Sequence, residues 1–376
     1  MANESREQSR IQYPRRRLPR ALCRAVGRLL IPILCRLEIY GEKNFPAHGP
    51  LLVVGNHTAV METILLTVYT PWQIEMLGSI DVPHEKITDI VSRIYGYIPI
   101  RRGRLEKTAM NQAVDVLKQG GILGIFPEGG IWDAGAMRAQ TGVAWLSYRS
   151  GAPVLPLGFS GTKGALGAAF KLQQPQISMR VGEPLSPAQL PKDMPRKLYF
   201  QEYAGTVMDA VNALIPEDAL PQSNQIADED FELQVALQTS NGGSQSCPPD
   251  MRINHARSLT KFLHRPGILK IFRKNLRMPI QALQNLDYSH NAGEIARGTQ
   301  MILDYLKNDN PYLLTYRFGP KEAQNMRQGL EELHNLAHWA DVQGLELYLT
   351  PIRRYHLIGQ EDEIVQTKQG RFEGWM

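Results

Sequence analysis

The segment from Leu51 to Glu62, LLVVGNHTAVME, constrains the fold of this chain more than any other. Its uninterrupted apolar run, Leu51 to Val54, is typical of a strand that is buried on both faces. Gly55 and Asn56 favour turns, so they end the strand. The residues that follow His57 are compatible with a helix. The segment therefore predicts a buried strand, a sharp corner and a helix.

The corner carries a candidate general base, His57. A histidine needs only a small change of environment to act as a base near neutral pH. A carboxylate that accepts from its other ring nitrogen would hold the tautomer. A helix takes ~3.6 residues per turn, so His57 and Glu62 would diverge if both lay on one regular helix. They meet only if His57 lies on the corner and Glu62 in the first turns of the helix. A solvated histidine and an unrelated surface glutamate are the alternative.

Other apolar stretches repeat this alternation of strand and helix. Gly121 to Phe126, Val154 to Phe159 and Ile177 to Val181 each have the length and composition of a buried strand. Pro127 ends the first of them because proline cannot donate to a strand ladder. Strands that alternate with helices favour a mostly parallel sheet flanked by helices. We therefore predict an α/β fold with an N-terminal amphipathic helical arm and a C-terminal α+β extension.

The region from Pro14 to Leu37 has the pattern of a basic amphipathic helix, interrupted near Pro32. Arginines recur along one side of it: Arg16, Arg20, Arg24 and Arg28. Apolar residues fall mostly on the other side: Leu22, Val26, Leu29, Leu30, Ile33 and Leu37. Each Lys or Arg near an anionic membrane contributes ~1 kcal/mol to binding, so we predict that the arginines contact a membrane. An ordinary helix packed on its own domain, with the arginines in solvent, is the alternative.

Length, composition and charge limit the class of protein. A chain of 376 residues, 43% hydrophobic and 21% charged, can fold into two domains. Its net charge of +5 suits an anionic lipid headgroup or a phosphate and is too small to indicate a nucleic-acid partner. The three cysteines lack metal-ligand spacing and fit a reducing compartment. No apolar stretch reaches ~18 residues and the N-terminus lacks a signal-peptide layout, so we expect no membrane-spanning helix.

Changes of composition along the chain predict four regions. The amphipathic arm covers residues 1–35, and the α/β domain covers residues 36–215. Residues 216–250 are acidic at first and then rich in Gly, Ser and Pro, which is typical of a linker region. Residues 251–376 form a C-terminal domain whose function the sequence does not indicate.

The C-terminal domain has few distinct patterns. We predict one long helix from Lys321 to about Val342 and a terminal hairpin that pairs Leu345–Leu349 with Tyr355–Ile358. His334 and His338 lie one turn apart on the helix and could form a metal pair. Apolar residues lie between them and the sequence places no third ligand beside them, so we expect no metal.

Four segments resemble the ordered blocks of a known family: GNHTAVME, YIPIRR (Tyr97 to Arg102), FPEGG (Phe126 to Gly130) and VLPLGF (Val154 to Phe159). The family is that of the glycerophospholipid acyltransferases, which includes the 1-acylglycerol-3-phosphate acyltransferases. The resemblance covers roughly residues 36–214. Its most specific part is the combination of His-x4-acid with FPEG in this order.

The resemblance implies roles for individual residues. His57 would be the general base, and Glu62 would be its carboxylate partner. Arg102 would contact a phosphate, since a guanidinium can bind phosphate through two hydrogen bonds. The acceptor site would also include the loop after the FPEG strand: Glu128, Gly129 and Gly130. Glycines in such a loop let backbone N–H groups approach an anion.

The activity that the resemblance implies is that of an O-acyltransferase in phospholipid biosynthesis. The enzyme would move a fatty acyl group from a thioester donor, acyl-CoA or acyl carrier protein, to a hydroxyl of a lysophospholipid such as 1-acyl-sn-glycerol-3-phosphate. The general base would take the hydroxyl proton as the oxygen attacks the thioester carbonyl, and we expect no cofactor. We expect the protein to work at the cytoplasmic face of a membrane as a peripheral or monotopic protein.

Three positions depart from the family pattern. Glu62 stands where aspartate is usual, and Gln140 stands where a lysine is frequent. Gly130-Ile131-Trp132 stands where the family continues with Thr-Arg-Ser, so two phosphate-binding cations are missing from their usual places. The departures leave three alternatives open: an acyltransferase for a lipid acceptor without phosphate, a hydrolase that uses water, or an inactive lipid-binding or scaffold homologue.

Overall fold

The apolar runs of the first half of the chain become the strands of one sheet. The computed structural model describes residues 11–79, 86–100, 106–127, 140–216, 226–264, 272, 290–309, 311 and 313–367. The strands in this half are β1 (Arg36–Tyr40), β2 (Leu51–Gly55), β3 (Glu75–Ser79), β4 (Ile98–Ile100), β5 (Ile122–Ile125), β6 (Val154–Ser160) and β7 (Gln176–Val181). In the described residues, they form a seven-stranded sheet in the order β1-β7-β6-β2-β5-β3-β4.

The sheet is mostly parallel, which confirms the predicted α/β fold. β6 and β7 pair antiparallel, while the other neighbouring strands pair parallel. Val54 of β2 lies opposite Ile125 of β5, and Gly55 of β2 lies opposite Leu157 of β6. The carboxyl ends of β2, β5 and β6 therefore meet at one edge of the sheet.

Helices cover both faces of this sheet. Their bounds are α1 (Arg17–Leu34), α2 (Val60–Tyr69), α3 (Lys86–Tyr95), α4 (Lys107–Lys118), α5 (Gly142–Ser150), α6 (Ala165–Phe170) and α7 (Arg196–Asn212), with a short 3-10 helix at Glu42–Asn44. Successive side chains of a strand point to opposite faces. Accordingly, Val53 of β2 packs in the core beneath α1 and α2, and Leu52 packs in the core beneath α4, α5 and α7. Within the described part of the chain, each helix is too short or too polar to cross a bilayer.

Arg20 and Arg24 of α1 face the domain, which contradicts the prediction that they contact a membrane, whereas Arg16 and Arg28 are exposed. Arg20 is 0% exposed, and its Nη2 lies 2.8 Å from Oε2 of the buried Glu75. Arg24 is buried as well and donates to the carbonyl oxygens of Thr70 and Trp72. These two arginines therefore attach α1 to the domain.

The reason lies at the carboxyl ends of α2 and α3. The last carbonyl groups of a helix lack partners within the helix and carry partial negative charge. The four arginines donate to carbonyls at these ends: Arg24 to Thr67 and Arg28 to Val68 at the end of α2, and Arg16 to Ile94 and Arg20 to Tyr95 at the end of α3. The regular spacing of the arginines thus matches two helix ends within the protein.

The described residues ahead of β1, which belong to the predicted amphipathic arm, pack on the α/β unit. Ile31 and Cys35 lie in the core on one face of the sheet, and Ile11 packs against the core on the other. Gly27 allows α1 to approach α2 closely, because a Cβ atom at this position would lie 2.6 Å from Cγ2 of Val68.

A second sheet belongs to the C-terminal part of the chain. Its strands are β8 (Ile226–Thr239), β9 (Ser244–Gln245), β10 (Leu345–Leu357) and β11 (Glu363–Gln366), and they pair antiparallel in the order β11-β10-β8-β9. The helices of this part are α8 (Ala256–Leu263), α9 (Ala292–Asn308), α10 (Leu313–Phe318) and α11 (Pro320–Val342), and a 3-10 helix lies at Pro249–Met251. They share one hydrophobic core with the sheet. The predicted α+β extension is confirmed.

The predicted linker region, residues 216–250, contains the 14-residue strand β8. Two acidic residues of β8 are paired across the sheet. Arg353 Nη2 lies 2.9 Å from Oε2 of Glu229, and Arg354 Nη1 lies 2.5 Å from Oε2 of Glu232. The composition of β8 therefore reflects cross-strand ion pairs.

The predicted terminal hairpin is also corrected, because β10 runs without interruption from Leu345 to Leu357. Pro351 lies opposite Leu233 within the ladder with β8. A proline removes only one ladder hydrogen bond. The remaining pairs of this long ladder hold the strand together, and the hairpin instead joins β10 to β11.

Candidate active site

Three strand ends bring the candidate site together. His57 follows β2, Phe126 follows β5, and Thr162 comes two residues after β6. These strands are neighbours in the sheet, and their carboxyl ends share one edge. Open α/β sheets bind their ligands at this edge.

His57 and Glu62 meet there, as the geometry of the corner requires. Nδ1 of His57 lies 3.3 Å from Oε2 of Glu62. Ala59 is the N-cap of α2, so Glu62 lies in the first helical turn while His57 remains on the corner. The side chain of Glu62 is 0% exposed and that of His57 is 14% exposed, so solvent reaches the imidazole. Because Nδ1 is engaged with Glu62, Nε2 is the nitrogen available for proton transfer with a substrate.

Donors surround the carboxylate of Glu62. Its oxygens accept from the backbone N–H groups of Thr58 (3.2 Å) and Ala59 (3.0 and 2.8 Å). Oε1 also accepts from the hydroxyl groups of Thr58 (2.7 Å) and Thr162 (2.5 Å). An ionised carboxylate accepts hydrogen bonds and donates none, so these partners fit a charged Glu62. A charged Glu62 can stabilise the imidazolium that forms when His57 takes a proton.

Two further residues hold the imidazole in place. The ring of His57 stacks on that of Phe126, with centroids 4.0 Å apart and planes 10° from parallel. Asn56 ties the corner to β6: its Nδ2 donates to the carbonyl of Phe159 (3.0 Å), and its Oδ1 accepts from the N–H of Phe159 (2.8 Å). The base is thus fixed by contacts with two neighbouring strands.

The sequence analysis did not identify Asn56, Thr58, Phe126 or Thr162 as members of the site. For Thr162 a signal existed, since a Gly-Thr pair follows a buried strand. Gly161 has φ +70°, and a Cβ atom there would lie 2.2 Å from the carbonyl oxygen of Gln176. Only glycine fits such a turn, and the turn places Thr162 over the corner.

The predicted acceptor-binding residues lie outside the described residues: Arg102, Glu128, Gly129 and Gly130. Their roles stay predictions. Gln140, the first described residue after them in the chain, donates its N–H to the carbonyl of Pro127 at 3.0 Å. The two described residues that bound the stretch 128–139 therefore lie side by side, next to Phe126.

Comparisons with known proteins show what this part of the chain is similar to. Residues 36–160 match the family model described as Acyltransferase. The 1-acyl-sn-glycerol-3-phosphate acyltransferase of Bacillus subtilis (strain 168) is 23% identical over 197 residues, which are 52% of this chain and 94% of that protein. The enzyme of the same name from Borreliella burgdorferi is 24% identical over 125 residues, which are 32% of this chain and 50% of that protein.

A solved structure is also similar. It is the crystal structure of the 1-acyl-sn-glycerophosphate (LPA) acyltransferase from Thermotoga maritima, with 17% sequence identity and a TM-score of 0.39. The match covers 57% of this chain and 86% of that one.

The residues matched by the family model include Asn56, His57, Glu62 and Phe126, and they end just before Thr162. The resemblance inferred from four short segments is confirmed. Through residues 36–160, this chain is similar to the acyltransferase family.

Proposed function

We propose that this protein is an O-acyltransferase that moves a fatty acyl group from a thioester donor to a hydroxyl of a lysophospholipid. The observation that carries the proposal is the contact between His57 and Glu62 at the ligand-binding edge of an acyltransferase domain. The relatives above are named 1-acyl-sn-glycerol-3-phosphate acyltransferases. This makes 1-acyl-sn-glycerol-3-phosphate the first acceptor to consider, in phospholipid biosynthesis.

The geometry suits direct transfer with His57 as general base. Nε2 of His57 takes the proton of the acceptor hydroxyl as that oxygen attacks the carbonyl carbon of the thioester. The tetrahedral intermediate then expels the carrier thiolate, which receives the proton from His57. A positioned general base contributes ~10²–10⁴-fold to the rate. Glu62 holds the ring and balances its positive charge between the two proton transfers.

The donor is a thioester of coenzyme A or of an acyl carrier protein. Both present the same reacting group to His57, so the chemistry at the site does not distinguish them. The net charge of +5 is compatible with an acidic carrier protein as well as with the phosphates of coenzyme A. Rates measured with the two donors separate these possibilities.

A lipid acceptor without phosphate is the second candidate. Ile131 and Gln140 occupy positions where the family pattern has cations, and this observation favours a headgroup of lower charge. An inactive homologue is less consistent with the site, because His57, Glu62 and their hydrogen-bond partners are assembled together.

The test is an assay of the purified protein with a labelled acyl donor and a panel of lysolipids, followed by mass spectrometry of the products. We expect acylated 1-acyl-sn-glycerol-3-phosphate as the main product. Product formed only on phosphate-free acceptors would establish the second candidate. Release of free fatty acid without any acylated lipid would indicate a hydrolase and contradict the proposal.

We further propose that the protein binds peripherally to the cytoplasmic face of a membrane through the apolar side of α1. Six apolar side chains of α1 are 45–84% exposed, and we call them the apolar face: Leu18, Leu22, Val26, Leu29, Leu30 and Ile33. An exposed apolar patch of this kind is typical of a contact with a membrane or a protein. Burying a leucine-sized side chain contributes ~1.5–3 kcal/mol, so several such residues can hold a protein on a bilayer.

The position of the apolar face supports access to a lipid substrate. At its end, the carbonyl of Ile33 accepts from Nε2 of Gln174 (3.2 Å), two residues after Leu172, which is 72% exposed. Arg36, two residues after α1, lies opposite Gln176, the first residue of β7. β7 is antiparallel to β6 and therefore begins at the edge where β6 ends. The apolar face thus leads toward the edge that carries His57.

A further inference from the structure

The hydroxyl of Thr162 is placed where it can control the carboxylate of Glu62. Thr162 is 1% exposed, and its Oγ lies 2.5 Å from Oε1 of Glu62 and 3.3 Å from Oγ of Thr58. Thr162 comes from the loop after β6, about a hundred residues from Glu62 in the chain, so the contact joins two separate elements.

A glutamate at this corner needs such a partner. Its side chain has one more rotatable bond than that of aspartate, so its two oxygens can take more orientations relative to His57. Thr58 and Thr162 both donate to Oε1, whereas Oε2 faces Nδ1 of His57. The two hydroxyl groups thereby fix the orientation of the carboxylate group, with one of its oxygens toward the imidazole.

Both members of the pair are tied to the same strand. His57 is fixed through its neighbour Asn56, which makes two hydrogen bonds with the backbone of Phe159 in β6. Glu62 is fixed through Thr162, which lies just beyond the end of β6. The end of β6 therefore sets the distance between imidazole and carboxylate.

We propose that Thr162, assisted by Thr58, is a positioning residue for acyl transfer: its hydroxyl holds the carboxylate of Glu62 in the orientation that His57 requires. This inference rests on the proposed acyltransferase function. It also accounts for glutamate in place of aspartate, because the hydroxyl groups hold the longer side chain in one conformation.

The test compares Thr162→Val with Thr162→Ser. Valine keeps the shape and removes the hydroxyl, and serine keeps the hydroxyl. A displacement of ~1 Å in an active site can cost ~10²-fold in rate, so we expect Thr162→Val to lower kcat by about 10–100-fold with KM nearly unchanged. Thr162→Ser should recover most of the activity. Thr58→Val is the second variant, and it should lower kcat in the same way.

The matched control is Thr70→Val. Thr70 is also fully buried, and its hydroxyl donates to the carbonyl of Leu66 (2.8 Å), away from Glu62. This variant loses a buried hydroxyl of the same kind and should keep the parent kcat. A loss of kcat in Thr70→Val equal to that in Thr162→Val would show a general effect of losing buried hydroxyl groups and would overturn the inference.

A double-mutant cycle shows whether Thr162 acts through Glu62. In a Glu62→Gln background, Thr162→Val should change kcat little, because the charged partner is already absent. Full additivity of the two changes would contradict the inference. Thermal unfolding of each variant, followed by circular dichroism, identifies any that fail to fold.

A readout without substrate separates this inference from the proposed function. The chain has nine histidines, and the ¹⁵N signals of His57 can be assigned by their loss in His57→Gln. We expect the parent to show one tautomer with the proton on Nδ1, and Thr162→Val to show a mixture. Identical spectra and identical kcat for the parent and Thr162→Val would overturn the inference. If the parent transfers no acyl group but the tautomer still changes between the parent and Thr162→Val, the proposed function is contradicted and the inference about Thr162 is not.

Discussion

At the residue scale, the corner accommodates a glutamate by folding the side chain back onto its own helix. Both oxygens of Glu62 accept from the N–H of Ala59, a donor at the helix N-terminus that lacks a partner within the helix. A negative charge is also stabilised at this end of a helix by the helix dipole. The same contacts that cap α2 therefore place one carboxylate oxygen beside His57.

Substitutions of Glu62 separate the effect of its charge from the effect of its side-chain length. Glu62→Gln keeps the shape and removes the charge, so we expect kcat/KM to fall by about 10³–10⁴-fold, as in catalytic triads that lose their carboxylate. Glu62→Asp keeps the charge with a shorter side chain and should retain partial activity. Steady-state kinetics check that kcat/KM falls from the parent to Glu62→Asp and again to Glu62→Gln. Equal rates for Gln and Glu at this position would mean that the catalytic carboxylate lies elsewhere, and Glu128 would be the first candidate.

At the scale of elements, α1 is held to the domain by charge and presents its apolar side outward. Arg20 links this helix to the start of β3 through Glu75, whose side chain also accepts from Arg15 at 2.6 and 3.0 Å. Arg20 also lies over the ring of Tyr95, 4.8 Å from its centroid. Such a buried, hydrogen-bonded cluster fixes the orientation of the helix, and with it the orientation of the apolar face.

Breaking this cluster should destabilise the α/β unit. Removing one partner of a buried ion pair typically costs ~3–5 kcal/mol, so we expect Arg20→Gln to lower the free energy of unfolding by about that amount. Arg17→Gln, on the exposed side of the same helix, should change it by less than ~0.5 kcal/mol. Urea titrations followed by circular dichroism give both values. Similar stability for the two variants would show that the arginine contacts contribute little.

The apolar face should carry membrane binding. We expect Leu22→Gln combined with Leu29→Gln to release the protein from vesicles, with no loss of thermal stability because both side chains are exposed. Val342→Gln, at an exposed apolar position of α11, is the control and should leave vesicle binding unchanged. Binding of the parent should persist when salt screens charges beyond ~8–10 Å, since the contact is mainly apolar. Cosedimentation that is unchanged in the double variant would place the membrane contact elsewhere.

At the scale of the whole molecule, the chain builds two sheets with separate hydrophobic cores in its described residues. The site and the apolar face both belong to the first unit. We therefore expect a chain that ends at residue 216 to unfold cooperatively and to retain acyl transfer. Thermal unfolding and the acyl-transfer assay check both points. A truncated chain that does not fold would show that the first unit depends on the second.

The sequence predicted the first sheet and the corner because their signals are local. A strand buried on both faces needs a continuous apolar run, and the spacing of His57 and Glu62 requires a corner. The side of α1 that faces the domain was not predictable in this way. Periodicity separates two sides of a helix but does not say which side faces inward, and here the choice depends on carbonyl groups far along the chain, such as those of Val68 and Tyr95.

Other features escaped prediction because they depend on distant partners. β8 has the composition of a linker, and its acidic residues become compatible with a sheet only beside Arg353 and Arg354. Thr162 belongs to the site only because β6 lies next to β2. Asn56 was interpreted as a turn residue, and its two hydrogen bonds to Phe159 require the same pairing.

The most direct measurement is the rate of acyl transfer to 1-acyl-sn-glycerol-3-phosphate by the purified parent and by His57→Ala. Loss of a positioned general base costs ~10²–10⁴-fold, so we expect the parent to form the acylated lipid and the variant to be slower by about that factor. Circular dichroism of the two proteins should be the same, because His57 lies on the partly exposed corner. A His57→Ala protein with a native-like spectrum and the full rate of the parent would contradict the role of His57 as the base.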